Sequence, residues 1–417
     1  MSRSPVAMVV ARALIARALI AGALIAGACR APRQDPAQAR WRDDLDFLER
    51  ELPARHLEPF FQLPEAEWHA GFAALRADLP RLTEPQILVR AMQLVARLGD
   101  GHTRLSEPPG GGFPVGLYWF DDGVHVTAAS PAAAWAVGHA VTAIGGRPAT
   151  EALALAATTA PHDNASQERS EAVAALVRPR TAAGLGLVDA DGALVLTVAV
   201  DGGARELRVR RADPPAVPPP VDPATAPLAR RGAGRRYWSQ YLPDRRALFV
   251  QYNACAEGTP RFADFAAAVG QTLATEAVDR LIIDLRANSG GNSEVARPLL
   301  DLVARTPGLA ARTFVLIGRA TFSSAVLNAL ALADAGATLV GETAGGAPSH
   351  YGEVQVGVLP RTGFPFSYST KHFVDPAHPG RELVPAIAVP VRASDYFGGV
   401  DAALDAALAA PVAAAGP

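Results

Sequence analysis

The sequence predicts an α/β protein in three parts: a helical N-terminal region, a small β-rich module, and a C-terminal α/β domain with a largely parallel sheet. Three observations carry this expectation. Leucines recur at helical spacing early in the chain, short alternating strands replace them from Phe113, and strands alternate with helices after a proline-dense stretch. With 417 residues, 49% of them hydrophobic, the chain can bury sizeable cores without disulfides.

Taken in order, residues 41–110 read as the helical region, with Leu45, Leu48 and Leu52 on one face and Ile87, Met92, Leu94 and Leu98 on another. Gly99-Asp100-Gly101-His102-Thr103 breaks the last helix. Residues 111–212 read as the β-rich module, with strands at Gly123 to Thr127, around Val141 to Ile144, and at Leu194 to Val200. Its Gly145-Gly146-Arg147-Pro148 turn between strand and helix resembles a PDZ-like module, a type that receives peptide ends by strand addition.

Residues 213–228 hold seven prolines, from Pro214 to Pro227, and read as a stiff linker. From residue 229 to 417 the alternation of strand and helix predicts the α/β domain. Strands are expected at Leu248 to Val250, Leu281 to Ile283, Thr313 to Ile317 and Thr338 to Val340. Helices are expected along the Phe262, Phe265, Val269 and Leu273 face, from about Ser293, and from about Ser324.

Charge excludes one class of partner. Formal net charge is −2 and the arginines are scattered, so no stripe is available to neutralise phosphates, and nucleic acid is not an expected partner. Lys371 is the only lysine, which leaves one candidate for any mechanism with a lysine base. The two cysteines, Cys29 and Cys255, form no metal or disulfide framework, and Cys255 beside an aliphatic strand reads as a small core residue.

The amino terminus reads as a targeting segment. Arg3, Arg12 and Arg17 precede an uncharged run from Ala18 to Ala28, too short to span a bilayer. It ends Ala26-Gly27-Ala28-Cys29, which resembles a bacterial lipobox with alanine where leucine is usual. Residues 1–28 are then a signal peptide and Cys29 the lipidated first residue. Ordinary cleavage near Ala28 is the alternative. Both imply export to the bacterial cell envelope, on the periplasmic face if lipid-anchored, with membrane contact only through that anchor.

Two loops follow buried strands, where open α/β sheets carry their sites. Asp284-Leu285-Arg286-Ala287-Asn288-Ser289-Gly290-Gly291 holds paired glycines that let backbone amides approach a ligand. Gly318-Arg319-Ala320-Thr321-Phe322-Ser323-Ser324 carries serine at a strand-to-helix junction. A hydroxyl there is either a helix cap or a nucleophile against the positive helix end.

Together these loops, with Gly341-Glu342-Thr343 and Gly345-Gly346, resemble the tail-specific (C-terminal processing) serine protease family. The resemblance implies Ser323 as nucleophile, with oxyanion amides from Ser324 and from Gly290 or Gly291. It departs at Ala347, where the Ser-Lys branch has its lysine. Gly99 to Thr103 resembles instead the branch that includes the tricorn core protease and retinoid-binding relatives. That branch implies His102 as base and a late carboxylate to orient it: Glu382, before Leu383-Val384-Pro385, or Glu353 as the competitor. Where the family has Pro-Asp, this chain has Pro385-Ala386.

The resulting expectation is an exported serine peptidase that acts on polypeptides without a cofactor. A catalytically weak peptide- or lipid-binding relative, and an esterase using the same site, are the alternatives. His350, His372 and His378 lie close in sequence but lack the spacing of a helical metal motif, so no metal site is expected.

Overall fold

A computed structural model describes residues 36–218, 226–232 and 234–412. The signal segment, Cys29 and part of the proline-rich stretch lie outside these residues. The helical region comprises α1 (Pro36–Arg55), α2 (Glu65–Asp78) and α3 (Glu84–Ala96). A capping box fixes the start of α3, where Thr83 and Gln86 satisfy each other's amides. Trp41, Leu45, Leu48 and Leu52 on α1 pack with Trp68 and Phe72 on α2 and Leu88 and Val95 on α3, all fully or almost fully buried.

A short strand β1 (Arg104–Leu105) follows, then the hairpin β2 (Gly116–Phe120) and β3 (Gly123–Ala128). An antiparallel four-stranded sheet holds β4 (Val141–Ile144), β5 (Arg147–Pro148), β6 (Leu194–Val200) and β7 (Gly203–Val209), in the order β5-β4-β6-β7. Helices α4 (Ala149–Ala157), α5 (Ala165–Leu176) and α6 (Pro179–Gly184) lie within the same module and share its core. The sequence suggested one helix after the glycine turn; the alanine-rich stretch supplies three.

After α7 (Leu228–Arg231), the large sheet takes β8 (Tyr237–Leu242), β9 (Ala247–Tyr252) and, past α8 (Phe262–Thr275), β10 (Arg280–Asp284). It continues through α9 (Arg297–Arg305), β11 (Thr313–Ile317), α10 (Ser324–Asp334) and β12 (Thr338–Gly341). Six strands run in the order β15-β12-β11-β10-β9-β8, where β15 is Ile387–Ala388, and all pairings are parallel except that of β8 with β9. β9 and β11 are buried on both faces, as near-continuous apolar strands require when helices cover the sheet. Helices α11 (Ala393–Gly398) and α12 (Ala402–Ala409) close the chain.

One segment leaves this domain. The hairpin β13 (His350–Val358) and β14 (Pro365–Phe373) pairs with β1, not with the large sheet. Phe364 and Phe366 are almost fully buried among the N-terminal helices, each worth roughly 1.5–3 kcal/mol of burial. Buried Asp44 on α1 accepts the Arg361 and Thr362 amides at 2.8 Å each, which pins the hairpin's tip. The helical region and the hairpin are therefore one packed unit, although the hairpin lies within residues 229–417 of the sequence. The turn at residues 99–103 meets Phe322 beyond the carboxyl end of β11.

Candidate active site

The turn after β11 is built to expose one hydroxyl. Gly318 and Thr321 bond each other, and the Thr321 hydroxyl donates to the Leu285 carbonyl at 2.9 Å. The Phe322 amide donates to the Asn288 carbonyl at 3.1 Å. Between these anchors and α10, Ser323 is held at φ 53 and ψ −128, a conformation costly for an L-residue. Its hydroxyl caps no helix amide, which removes the capping explanation for this serine. The neighbouring Ser324 is spent structurally, with its hydroxyl donating to the Gly291 carbonyl at 2.7 Å.

The glycine loop lies directly against this turn. A β-carbon on Gly290 would stand 2.8 Å from the Ser323 β-carbon, and one on Gly291 would stand 2.3 Å from the Cys255 carbonyl. Both glycines also hold positive φ, so no other residue fits either position without strain. The Gly290 amide donates to the Asn288 side chain at 2.9 Å. Among the described residues the Gly291 and Ser324 amides donate to no acceptor, which leaves them free beside the start of α10. Asn288 in turn donates to the Tyr252 carbonyl at 2.9 Å, holding the loop to β9.

Earlier residues of the same motif serve the scaffold. Arg286 bonds both Asp284 and Asp401, and Asp401 caps α12 through the Leu404 amide. Cys255 is buried, and burial pushes its thiol above the usual range, so it belongs to the core. A cavity of about 310 Å³ at the same sheet edge is lined by Tyr118, Arg286, Arg319 and Glu342, and does not include Ser323.

The base candidate arrives on a second platform. Asp100 accepts the His102 amide at 2.9 Å, the Thr103 hydroxyl at 2.5 Å, the Ser369 hydroxyl at 2.6 Å and the His56 ring at 3.0 Å. The Glu58 amide donates to Nδ1 of His56, so Nε2 of that ring carries the proton that Asp100 receives. Burial would raise the Asp100 carboxyl, but the His102 side chain first, then His56, Ser369 and Thr103, outweigh it and hold the group well below the carboxylate range. The Ser367 hydroxyl donates to the His102 carbonyl at 2.7 Å, and the Asp163 carboxylate accepts the Gly101 amide at 2.9 Å. His102 is thereby presented to the nucleophile turn, with its ring stacked on Phe322 at 4.3 Å between centroids.

Both expected orienting carboxylates lie elsewhere. Glu353 is exposed on β13 at φ 54, and Glu382 is exposed in the segment anchored by Arg381. Neither bonds the His102 ring, whose two nitrogens have no hydrogen-bond partner among the described residues. The nearest carboxylate oxygen is Oδ1 of Asp100, 3.8 Å from Nδ1. The sequence placed glutamates by motif position, but the backbone around each turns its side chain to solvent.

Three further residues converge without having been anticipated. Asp100 was visible inside its motif, but its role depends on distant donors. His350 is buried beside His102, with 5.6 Å between ring centroids. Its Nδ1 meets the carbonyl of Ala347, the position where the Ser-Lys branch has lysine, at 2.8 Å. Phe322 was read only as part of the serine motif. Elsewhere, Lys371 is exposed over the Phe373 ring, His372 stacks on Tyr351, and His378 pairs with Asp375.

No family model and no curated protein matches the chain. Solved structures do. CPAF complexed with lactacystin aligns over 90% of this chain and 99% of its own, at 17% identity and a TM-score of 0.64. The S499A mutant of CPAF aligns over 92% and 100%, at 15% identity and a TM-score of 0.63. Mature CPAF alone gives 15% identity and 0.59 over 91% and 100%. The whole described architecture, from helical region to parallel sheet, is therefore similar in fold to CPAF.

Proposed function

We propose that this chain is an exported serine peptidase that cleaves polypeptides through an acyl-enzyme, with Ser323 as nucleophile and His102 as base. One observation carries the reading: an uncapped serine held at positive φ lies between the free amides of Gly291 and Ser324, while a buried histidine stacks on the preceding residue. Structural serines at helix starts normally cap an amide, and this one does not.

In the proposed reaction, neutral His102 takes the proton from the Ser323 hydroxyl as Oγ attacks the scissile carbonyl. The carbonyl oxygen becomes an oxyanion and is received by the Ser324 amide at the positive end of α10 and by the amide of Gly291. His102 then gives its proton to the leaving amine, and water hydrolyses the ester by the same route in reverse. No lysine is required, since Ala347 occupies that position and Lys371 is exposed. Export follows the segment before Cys29, and lipidation of that residue would hold the mature chain at the envelope, with a further acyl chain needed for stable attachment.

The test is covalent labelling of the purified chain by a fluorophosphonate, followed by panels of peptides and small esters. Label confined to Ser323, with peptide turnover, supports the reading. Absence of label would leave a binding protein on this fold, and ester turnover without peptide turnover would make it an esterase. Growth on labelled palmitate tests the anchor: label on the wild type and none on Cys29→Ser is the expected pair.

A further inference from the structure

In a serine–histidine–carboxylate site, the carboxylate holds the imidazole at the angle the reaction needs. Among the described residues neither His102 ring nitrogen has a hydrogen-bond partner, so His102 lacks a bond of that kind. Asp100 lies within ion-pair range, its Oδ1 3.8 Å from Nδ1, but its hydrogen bonds go to the His102 amide, Thr103, Ser369 and His56. Something else must set the ring plane of a buried side chain.

We infer that His350 positions the base, orienting His102 by ring stacking in place of a carboxylate hydrogen bond. The inference rests on the peptidase reading given above for His102. Three successive ring contacts run from the nucleophile turn. Phe322 and His102 lie 4.3 Å apart at 27°, His102 and His350 lie 5.6 Å apart at 17°, and His350 and Phe373 lie 5.3 Å apart at 25°. Rings this close to parallel resist rotation of any one of them, since turning a ring drives its edge into its neighbours.

The far end of the run is fixed independently of His102. Nδ1 of His350 donates to the Ala347 carbonyl at 2.8 Å, and Phe373 closes the other side under the Lys371 ammonium at 4.5 Å. His350 is also a suitable neighbour for a ring that must become cationic. Burial chiefly, and the charge of His102 next, hold it below the usual histidine range, which favours the neutral ring, while Asp163 and the backbone bonds to Ala347 and Pro348 oppose them. A neutral flat ring lies beside an imidazolium without repelling it.

What His350 supplies on this account is a plane, so phenylalanine should replace it and alanine should not. Full-length chain carrying His350→Phe is expected to take fluorophosphonate on Ser323 within about threefold of the wild-type rate. His350→Ala is expected to lose roughly 10- to 100-fold in the rate of labelling, with little change in the concentration that saturates it, as misplacement of a catalytic group does. Equal loss in both variants would mean that the ring nitrogen matters and would overturn the inference, as would a wild-type rate in His350→Ala. Imidazole NMR gives a readout that needs no reactivity. One sharp His102 ring signal in the wild type and His350→Phe, broadened or doubled in His350→Ala, is expected. An unchanged signal in His350→Ala would overturn the inference. Failure of the wild type to label at all would instead remove the peptidase reading, and the NMR comparison would still decide the stacking.

Discussion

The Ser323 turn and the His102 turn are built by different means. Around Ser323, the anchors are backbone carbonyls of the adjacent loop, reached by side chains only 33 to 36 positions away. Around His102, one carboxylate gathers donors from 44 positions upstream to 269 positions downstream. The first turn belongs to one strand-loop-helix unit. The second exists only when the helical region, the β-rich module and the β13–β14 hairpin are all docked. Strain can be stored locally where the surrounding sheet over-determines a residue, as at Ser323. An uncommitted imidazole needs walls from several directions, which a single local segment cannot provide.

The largest effect expected from breaking the local side is at the hydroxyl itself. Ser323→Ala should remove turnover by on the order of a millionfold while its melting transition stays near wild type. Ser324→Ala should keep most of the rate, because the amide remains and only the bond to the Gly291 carbonyl is lost. The reverse order in labelling would shift the nucleophile by one residue.

The non-local side is broken next by His102→Ala, expected to lower the rate of peptide turnover by roughly a thousandfold or more. Lys371→Ala should retain most activity, as its ammonium is exposed over Phe373. A dead Lys371→Ala beside an active His102→Ala would move the base off this platform altogether.

Asp100→Asn probes the platform beneath the base. It leaves buried donors imperfectly matched, and a loss of about 2–4 kcal/mol of stability at neutral pH is expected from denaturant melts. The folded carboxyl lies below its unfolded value, so its stabilisation is present above the ordinary value of 3.8 and fades as pH falls through the lowered one. Wild type should therefore lose stability on acidification below about pH 4 more steeply than Asp100→Asn. Parallel slopes would show that the four donors contribute nothing through charge.

The smallest effect is expected at Glu382→Gln. The side chain is exposed, so stability should change by less than about 0.5 kcal/mol. A near-wild-type labelling rate would leave the ring run as the orienting device. A loss as large as that of His102→Ala would return the role to this carboxylate.

Legibility followed the same division. The buried strands from Leu248 to Val340, the serine at the start of α10 and the paired glycines were readable because each is a local pattern: apolar runs, a strand-to-helix junction, residues without a β-carbon. Cys255 was readable as core for the same reason. The glutamates were not, because a motif position fixes where a residue falls along the chain and not which way the chain faces there. His350 was noticed only as one of three histidines in a proline-rich stretch. Its value comes from Phe373 and His102, one across a hairpin and one almost 250 positions upstream.

The sequence by itself determined the α/β alternation, the helical start, the serine at a strand-to-helix turn and its glycine neighbour, since these depend on periodicity and backbone permissiveness within a few tens of residues. Tertiary structure alone decided that β14 pairs with β1, that Asp100 gathers four donors, and that the His102 ring is stacked between rings with no carboxylate within hydrogen-bond distance. Those outcomes are set by burial of Phe364 and Phe366 among helices formed three hundred residues earlier, a free-energy gain that no local pattern records.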